Sequence, residues 1–527
     1  MFFNLAFFAL VLPFSVLAYA VAPRRLRWVV LLGISYYCFY HTSKKLIVFL
    51  VATTLSCYLC GLWLASIMDK RDAALAVKGA KRRAVREEYK KHMRHVVALA
   101  VIFNLGLLVT CKYLGFLLSV AEPLLSLAGV ATPIEAPRIG MPLGISFYTF
   151  MALSYVIDVY RGSVKPDRNL GRIALFISFF PQMLEGPIGR YSHTAESLTE
   201  GKGITRSNLY QGTLRIFWGI AKKLIVADRL NAFVETVFDG YAEFDGGVIA
   251  LAAVLYTIQL YCDFSGTIDV AIGIGRIFDV HLPENFRQPF FSRTASEFWQ
   301  RWHITLGAWF KDYVYYPVSL SAPCKQLTSA ARKRFGIHYG PLLASSVALF
   351  CVWFGNGLWH GSGSQYIFFG MYYFVLIMLG GLIEPVAISA AERLGIDRDS
   401  LPYRLFQTAR TLAIVFVGEL IFRANGLGAG LEMLSSIAHN FTLGAFSRWD
   451  PYHMHLDIHD RNIVIAMLVV VFVIGYLKEH GLDVSAKIDS QSTLVRWVVL
   501  IVLILAIVIF GAYGYDYTPV DPMYAQF

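Results

Sequence analysis

The chain alternates long apolar runs with short polar connections along most of its length. Runs of this length and composition are typical of α-helices that cross a lipid bilayer. Candidate spanning helices lie near 4–21, 28–40, 46–67, 96–120, 143–160, 172–185, 210–227, 247–275, 341–358, 365–384, 405–422, 462–477 and 494–512. Glycine and proline interrupt several of them, so we predict about eleven to thirteen spans. The pattern predicts an all-α polytopic membrane protein.

Two predicted spans contain prolines that break the apolar pattern. They are Pro142-Leu-Gly144 and Pro181-Gln-Met-Leu-Glu-Gly-Pro187. Irregular backbone at membrane depth survives where protein buries it or water reaches it, so we expect re-entrant segments there. We expect the first apolar run to be a membrane helix and not a cleaved signal peptide, because no lysine or arginine precedes it.

One stretch, 276–335, differs from its surroundings because it is polar, aromatic and basic. Within it, Glu297 to Tyr316 has the pattern of an amphipathic helix. Its apolar positions are Trp299, Trp302, Leu306, Trp309 and Phe310. We expect this segment to form a helix that lies at or dips into the membrane surface without spanning it. Because no repeat, linker or soluble region is apparent, residues 1–527 are predicted to form a single integral-membrane domain.

Composition and charge agree with the membrane interpretation and add an orientation. The chain is 56% hydrophobic and 16% charged, whereas soluble proteins are closer to a quarter charged. The net charge is +11, and its densest block is Lys78 to Lys91. The positive-inside rule predicts that the loop 70–95 is cytoplasmic and that the N-terminus lies outside. Topology and anionic lipid explain this block better than nucleic acid does, so no nucleic-acid partner is expected.

His360 is the strongest candidate for a catalytic residue. It stands in Gly357-Leu-Trp-His360-Gly361, at the end of an apolar run. An ionisable side chain at that depth is costly to desolvate, which makes it a functional-site hypothesis by default. Imidazole titrates near neutral pH and suits general base catalysis. The alternative is a structural histidine bonded to a carbonyl between helices.

His303 is the second candidate, in Glu297-Phe-Trp-Gln-Arg-Trp-His303. It could orient a substrate, relay a proton or have neither role. Asp263 and Asp269 follow an apolar run, and carboxylates inside a membrane are expensive unless they are paired or hydrated. For these two we expect pairing with lysine or arginine, or the shaping of a polar cavity.

Two groups of residues have some resemblance to metal sites. Cys57-x-x-Cys60 has suitable spacing but lies within a helix and has no second pair. His453, His455, Asp457, His459 and Asp460 cluster before the run at 462–477. A solvated loop explains that cluster as well as a metal does, so no metal site is expected.

Taken in order, several motifs resemble those of the bacterial membrane-bound O-acyltransferases. The closest resemblance is to the branch of the alginate O-acetylation and teichoic-acid D-alanyl transfer proteins. The motifs are Pro142 to Phe150 with Ser154 to Arg161, Phe180 to Pro187 with Arg190-Tyr191, Asp263 to Gly266 through Pro283-Glu-Asn-Phe286, Glu297 to His303 through Trp309 to Asp312, Trp359-His360-Gly361, Phe422-Arg423-Ala424 and Tyr524 to Phe527. The motif-bearing core covers about 140–425, with further apolar helices at 460–515.

This resemblance implies a fold and a set of site residues. The fold would be a ring of helices around a central tunnel. His360 would occupy the essential histidine position and His303 a second, more variable one. We expect substrate-positioning or tunnel-lining roles for Trp302, Trp309, Trp359, Asp263, Glu297, Arg301 and Asp312.

The resemblance also implies an activity: transfer of an acyl group, with acetyl favoured, from a cytoplasmic thioester to a hydroxyl of an exported polysaccharide or cell-wall glycan. Acetyl-CoA is the expected donor, with no permanently bound cofactor. Transfer would be direct, through an acyl-histidine, or through an acetyl-accepting extracytoplasmic partner protein. The expected location is the bacterial cytoplasmic membrane, in contact with its lipids.

Other activities fit less of the pattern. The first alternative is D-alanyl transfer from a carrier protein towards teichoic acid, with the carrier docking near 297–316. A proton-coupled transporter would also use buried His and Asp on broken helices, but no inverted repeat is visible. A scaffolding protein would tolerate the loss of both histidines.

Overall fold

The structure is a computed structural model, and it describes residues 6–77, 81–127, 140–183, 185–444, 454–513, 520 and 522. His453 and the motif Tyr524 to Phe527 lie outside the described residues. The described part is mostly helical and contains no β-strand. The all-α fold class predicted from the sequence is therefore confirmed.

The α-helices are numbered in chain order. They are α1 Leu12–Val21, α2 Arg27–Ser43, α3 Ile47–Ala76, α4 Arg82–Lys112, α5 Leu114–Leu127, α6 Ile145–Arg161, α7 Leu170–Ser178, α8 Phe180–Met183, α9 Tyr191–Glu200, α10 Arg206–Ala221, α11 Asp228–Asp239, α12 Gly246–Ile277, α13 Ala295–Arg301, α14 Ile304–Phe310, α15 Tyr316–Ser319, α16 Ala322–His360, α17 Ser364–Arg393, α18 Leu401–Arg423, α19 Leu427–His439, α20 Ile458–Glu479, α21 Val484–Asp489 and α22 Thr493–Phe510. Short π-helical segments cover Phe7–Val11, Lys222–Ala227 and Lys311–Tyr315. Single 3₁₀ turns cover Arg24–Leu26, Lys44–Leu46, Tyr241–Glu243 and Pro289–Phe291.

Eight helical stretches in the described part are long and apolar enough to cross a membrane, judged by length and composition alone. They are Arg24–Ala76, Arg82–Lys112, Gly246–Ile277, Ala322–His360, Ser364–Arg393, Leu401–Arg423, Ile458–Glu479 and Thr493–Phe510. A shorter apolar helical stretch covers Phe7–Val21. This agrees with a polytopic membrane protein. The number of eleven to thirteen spans, the ring of helices and the central tunnel stay predictions.

By contacts, the chain divides into two compact units. The first comprises Met1–Thr213 and Ala271–Pro283, and the second comprises Leu214–Val270 and Glu284–Phe527. Helix α12 contributes to both, with its last residues, from Ala271, counted in the first. The division rests on contacts alone. The prediction that residues 1–527 act as a single integral-membrane domain concerns function, and it stays a prediction.

In the first unit, the irregular segments predicted from Pro142 and Pro181 lie against each other. Gly144 has a φ of +66°, and a Cβ atom there would lie 1.8 Å from the carbonyl oxygen of Met183. Only glycine accommodates both that backbone conformation and that close approach. Whether the segments are re-entrant in a membrane stays a prediction.

In the second unit, α16, α17 and α18 pack in alternating directions. A Cβ atom at Gly357 would lie 2.6 Å from the Tyr366 carbonyl oxygen, and one at Gly370 would lie 2.3 Å from the Trp353 carbonyl oxygen. Later residues of α17 therefore contact earlier residues of α16, and the two helices are antiparallel. The Tyr372 hydroxyl donates to the Ile414 carbonyl at 2.9 Å on α18. The end of α16, the start of α17 and the end of α18 therefore lie at the same level.

The prediction of one amphipathic surface helix over Glu297 to Tyr316 is wrong in two respects. First, the segment breaks into α13 and α14 at His303, which has a φ of +48°. Second, most of its apolar side chains face the protein interior. Those buried are Trp302, Leu306, Trp309 and Phe310. The polar and apolar positions fit a helix, but tertiary contacts at the break override the pattern.

Candidate active site

His303 is held at the break between α13 and α14 by a neighbouring loop. The backbone N–H of Ile304 donates to the carbonyl of Asn285 at 3.0 Å, and that of Arg287 donates to the carbonyl of Arg301 at 2.9 Å. These bonds tie the loop to both sides of the break. They stabilise the left-handed conformation that His303 adopts, which is uncommon for a residue with a side chain.

The Asn285 side chain also sets the protonation of the His303 ring. Its Oδ1 atom accepts hydrogen bonds from the backbone N–H and the hydroxyl of Thr305 at 3.0 and 2.9 Å, which orients the amide. The same oxygen lies 3.3 Å from Nδ1 of His303. Because that oxygen can only accept, the contact requires the proton on Nδ1 and leaves a lone pair on Nε2. Burial lowers the pKa of His303 to about 3, so the ring is neutral at physiological pH.

His360 is the last residue of α16 and is 4% exposed. The edge of its ring meets Phe422 of α18 at a centroid distance of 4.9 Å, and Phe369 of α17 at 5.9 Å. The imidazole thus lies where the ends of three helices meet. A Cβ atom at Gly361 would lie 2.6 Å from the Tyr366 ring, so a side chain there would displace this wall.

Trp359 brings the two histidines into one site. Its indole lies 4.8 Å from the His360 ring and 5.9 Å from the His303 ring, measured between centroids. The histidines are on separate elements, and only the fold makes them neighbours. The structure therefore brings the two candidate histidines into one site, while the catalytic role of either residue stays a prediction.

Both imidazoles line one cavity of about 70 Å³. Its wall is mostly aromatic and aliphatic, and it is formed by Leu260, Trp299, Trp302, His303, Leu306, Gly307, Phe310, Val352, Trp353, Asn356, His360, Phe369, Glu419 and Phe422. A volume of this order admits a few water-sized groups but no long chain. An apolar cavity with a few convergent polar groups is the usual form of a small-molecule site.

Several residues proposed for substrate positioning lie elsewhere, in ion pairs. Asp263 pairs with Lys223 at 2.8 Å. Arg301 pairs with Glu297 at 2.7 Å and with Glu479 at 2.7 Å. None of these residues lines the cavity, although Arg301 immediately precedes Trp302, which does. In the structure they connect helices around the site.

Of the remaining positioning candidates, Trp359 lies at the histidines, whereas Trp309 and Asp312 do not line the cavity. Trp359 contacts both histidines, as described above. Trp309 packs beside Tyr313 at 5.2 Å and is not part of the cavity wall. Asp312 lies on the π-helical segment that follows α14.

The sequence predicts that Asp269 pairs with a basic residue or shapes a polar cavity, and the structure shows both. It pairs with Lys222 at 2.7 Å and with Arg215 at 2.9 Å. Arg215 also pairs with Glu284 at 2.5 Å. These residues line a second cavity of about 60 Å³, which is polar and separate from the histidines.

Two acidic residues of the cluster before 462–477 have structural contacts. The Asp457 side chain accepts from the backbone N–H of Asp460 at 2.7 Å and caps α20, and Asp460 pairs with Arg229. Cys57 and Cys60 are buried within α3. No group of three potential metal ligands occurs among the described residues.

Sequence reasoning did not assign a role to three polar residues around the histidines. Asn285 appeared only as a member of a motif. Asn356 stands one helical turn before His360, a spacing that was readable from the sequence. Glu419 is a lone carboxylate in an apolar run, and that signal was also visible.

The arrangement is suited to moving a proton in a site with little water. The Nε2 lone pair of a neutral imidazole can accept a proton from a hydroxyl, and tight aromatic walls exclude competing water. Acyl transfer from a reactive ester or thioester to a hydroxyl requires both a proton acceptor and the exclusion of water.

Comparisons with known proteins agree with this chemistry. The family model of the membrane-bound O-acyltransferases matches residues 167–331. A probable alginate O-acetylase AlgI of Pseudomonas putida is 31% identical over 380 residues, which are 72% of this chain and 70% of that protein. A probable alginate O-acetylase AlgI of Azotobacter vinelandii is 29% identical over 490 residues, 92% of this chain and 88% of that protein. A teichoic acid D-alanyltransferase of Bacillus subtilis is 31% identical over 248 residues, 46% of this chain and 59% of that protein.

The family match includes His303, and the relatives extend the similarity over most of the chain. The helical architecture and the apolar spans agree with it. This chain belongs to the membrane-bound O-acyltransferase (MBOAT) family and is an O-acyltransferase.

Proposed function

We propose that this O-acyltransferase moves a short acyl group, acetyl in the first instance, from a thioester to a hydroxyl of an exported polysaccharide or cell-wall glycan. Acetyl-CoA on the cytoplasmic side is the proposed donor. The observation that carries the proposal is the mostly aromatic and aliphatic cavity that His303 and His360 both line. Its volume favours a short acyl group.

In the proposed reaction, His360 acts as general base. Its imidazole takes the proton of the acceptor hydroxyl as the oxygen attacks the thioester carbonyl. The new C–O bond forms, the C–S bond breaks, and the imidazolium returns the proton to the leaving thiolate. His303, neutral and oriented by Asn285, presents Nε2 as a hydrogen-bond acceptor that aligns the hydroxyl. Trp302 and Trp359 shield the thioester from hydrolysis.

We place the enzyme in the bacterial cytoplasmic membrane, in contact with lipid, with donor and acceptor approaching from opposite sides. Names of the similar proteins support the acceptor class, because one is a probable alginate O-acetylase. The acceptor would be the glycan itself or an extracytoplasmic partner protein that passes the acetyl group on.

D-alanyl transfer towards teichoic acid is a second candidate. The similarity to a teichoic acid D-alanyltransferase supports it. In that reaction the donor is a D-alanyl thioester on a carrier protein. The same two histidines and the same bond changes would serve.

The test is to release ester-linked groups from the cell envelope and secreted glycans with mild base. Cells carrying the native chain are compared with cells carrying His360→Ala. The matched control is His338→Ala, because His338 is an exposed histidine on the same helix, α16. We expect His360→Ala to lose nearly all of the released acid and His338→Ala to keep it, with both proteins present in the membrane.

The identity of the released acid separates the two candidates. Loss of acetate supports glycan O-acetylation, and loss of D-alanine makes the second candidate correct. Unchanged release of both acids by a membrane-inserted His360→Ala protein contradicts the proposal.

A further inference from the structure

Glu419 is the only carboxylate among the described residues that line the histidine cavity. It is 2% exposed and lies on α18. One helical turn further along, Phe422 packs against the His360 ring at 4.9 Å. Glu419 therefore faces the same small space as the candidate base, from the same side as Phe422.

In the part of the chain that the structure describes, this carboxylate has no counter-ion. Among the described residues, no side chain or backbone group forms a hydrogen bond or an ion pair with it, and no lysine or arginine lines the cavity. A buried carboxyl group stays protonated unless a cation or a network of donors compensates for the lost hydration of its charged form. A cation that enters the cavity would supply that compensation and be held by the charged carboxylate.

The walls beside Glu419 are of the kind that attract cations. Trp299 meets Trp353 at 5.3 Å and Phe369 at 5.7 Å, and Phe369 meets Phe422 at 4.9 Å. All four rings line the cavity together with the carboxylate. Aromatic faces attract ammonium groups, and the attraction grows when the pair is removed from water.

We propose that the Glu419 end of this cavity binds a primary ammonium group carried by the substrate. The proposal rests on the proposed function, since it names a feature of the substrate at the same site. The ammonium stays protonated and takes no part in bond formation. Glu419 touches substrate and determines specificity, while proton transfer remains with His360.

Two sources of such a group fit the chemistry. An aminoacyl donor carries its ammonium beside the reacting carbonyl. An amino sugar in the acceptor carries its ammonium beside the reacting hydroxyl. An aminoacyl donor would favour D-alanyl transfer, the second candidate function. An amino sugar in the acceptor is compatible with acetyl transfer.

A binding experiment with the full-length protein in lipid nanodiscs tests the proposal without requiring turnover. One pair of probes is D-alanine methyl ester and methyl isobutyrate, in which a methyl group replaces the ammonium. The other pair is methyl glucosaminide and methyl glucoside. Thermal stabilisation is titrated for the native chain, Glu419→Gln and Glu384→Gln. Glu384 is an exposed glutamate paired with Arg398 and serves as the control for loss of one carboxylate.

We expect one ammonium probe to bind the native chain about ten-fold more tightly than its neutral partner. Glu419→Gln should reduce that preference to less than about two-fold, and Glu384→Gln should keep it. Glu419→Asp retains the charge and should keep the preference at lower affinity, which provides a test if the Gln variant fails to fold. The pair that shows the preference identifies the donor or the acceptor as the source.

Equal binding of the ammonium and neutral probes in both pairs overturns the proposal. So does a preference that survives in folded Glu419→Gln. Transfer assays with acetyl, D-alanyl and isobutyryl thioesters of N-acetylcysteamine are run in parallel. Absence of transfer from any thioester, with the ammonium preference intact, would count against the proposed function and not against the ammonium site.

Discussion

At the residue scale, the orientation of His303 depends on Asn285. Replacing Asn285 with Ala removes the acceptor for Nδ1–H of His303 and for both donors of Thr305. Buried donors without an acceptor cost about 1–3 kcal/mol. We expect transfer to fall about ten-fold, because misalignment of His303 would remove about 1.4 kcal/mol of transition-state stabilisation. Rates of ester formation by purified protein measure this.

Asn231→Ala is a suitable control, because Asn231 bonds to Gln259 at 2.8 Å in the same unit but away from the cavity. It should retain transfer. If Asn285→Ala kept the native rate, the orienting role assigned to Asn285 would be wrong.

The low pKa of His303 predicts how stability depends on pH. Its pKa is about 3 in the folded protein, below its ordinary value of 6.5, because the charged form is not solvated when buried. The unfolded chain therefore binds a proton at this residue as pH falls through 6.5 while the folded chain does not. The stabilisation from neutral His303 is complete above pH 6.5 and is lost progressively as the pH falls towards 3. At pH 5 the loss amounts to about 2 kcal/mol.

Replacing His303 with Gln removes the titrating group, so the drop in stability between pH 7.5 and pH 5 should shrink by about 2 kcal/mol. Unfolding midpoints in mild detergent at the two pH values measure this difference. His338→Gln, at an exposed position, should leave the drop unchanged. Equal pH dependence in the native chain and His303→Gln would show that His303 is protonated in the folded state.

Single residues differed in how far the sequence could assign them. His360 and His303 stood out because polar groups are rare next to apolar runs. Asn285 did not, because its role depends on a contact with Thr305, 20 positions away. The sequence predicts that Asp263 pairs with a lysine or arginine, and it pairs with Lys223. Motif membership does not reveal which residue is the partner of Asp263 or of Glu297, because that depends on the fold.

At the element scale, the wall behind His360 depends on close contact between α16 and α17. A Cβ atom at Gly357 would lie 2.6 Å from the Tyr366 carbonyl oxygen, and a backbone atom cannot rotate away. We expect Gly357→Ala to separate the helices, to cost about 1–3 kcal/mol and to reduce transfer strongly. Thermal midpoints and transfer rates, measured on the same preparation, check this.

Gly380→Ala is the matched control, since Gly380 lies on α17 with open space around its Cβ position. It should be neutral or slightly stabilising, because alanine favours a helix. A fully stable and active Gly357→Ala protein would mean that the contact is not required.

Elements were predictable where one apolar run makes one helix. The run 365–384 lies within α17, and 405–422 lies within α18. The run 341–358 is only the second part of α16, because a polar, basic stretch precedes it and the helix bends at Gly336. The break at His303 was not predictable, since the hydrogen bonds that hold it come from the loop at Asn285 and Arg287.

At the scale of the whole molecule, the proposed reaction needs a defined orientation in the membrane. Within the second unit, α16 to α18 alternate in direction, so Asp397, before α18, and Asn425, after it, lie at opposite ends of that helix. Arg393 ends α17, and Arg398 lies in the connection beside Asp397. The positive-inside rule predicts that this connection is cytoplasmic and that Asn425 is outside.

Labelling of single introduced cysteines tests this orientation. Asp397→Cys and Asn425→Cys are exposed to a membrane-impermeant maleimide in intact spheroplasts and after permeabilisation. The native chain is the blank, because its seven cysteines are buried or half-buried. We expect Asn425→Cys to react in intact spheroplasts and Asp397→Cys to react only after permeabilisation. Lys81→Cys, in the predicted cytoplasmic loop 70–95, should also react only after permeabilisation. The reverse pattern would place the His360 ends of these helices on the cytoplasmic side. An exported acceptor could then not reach the histidines from outside, and the proposed direction of transfer would have to be abandoned.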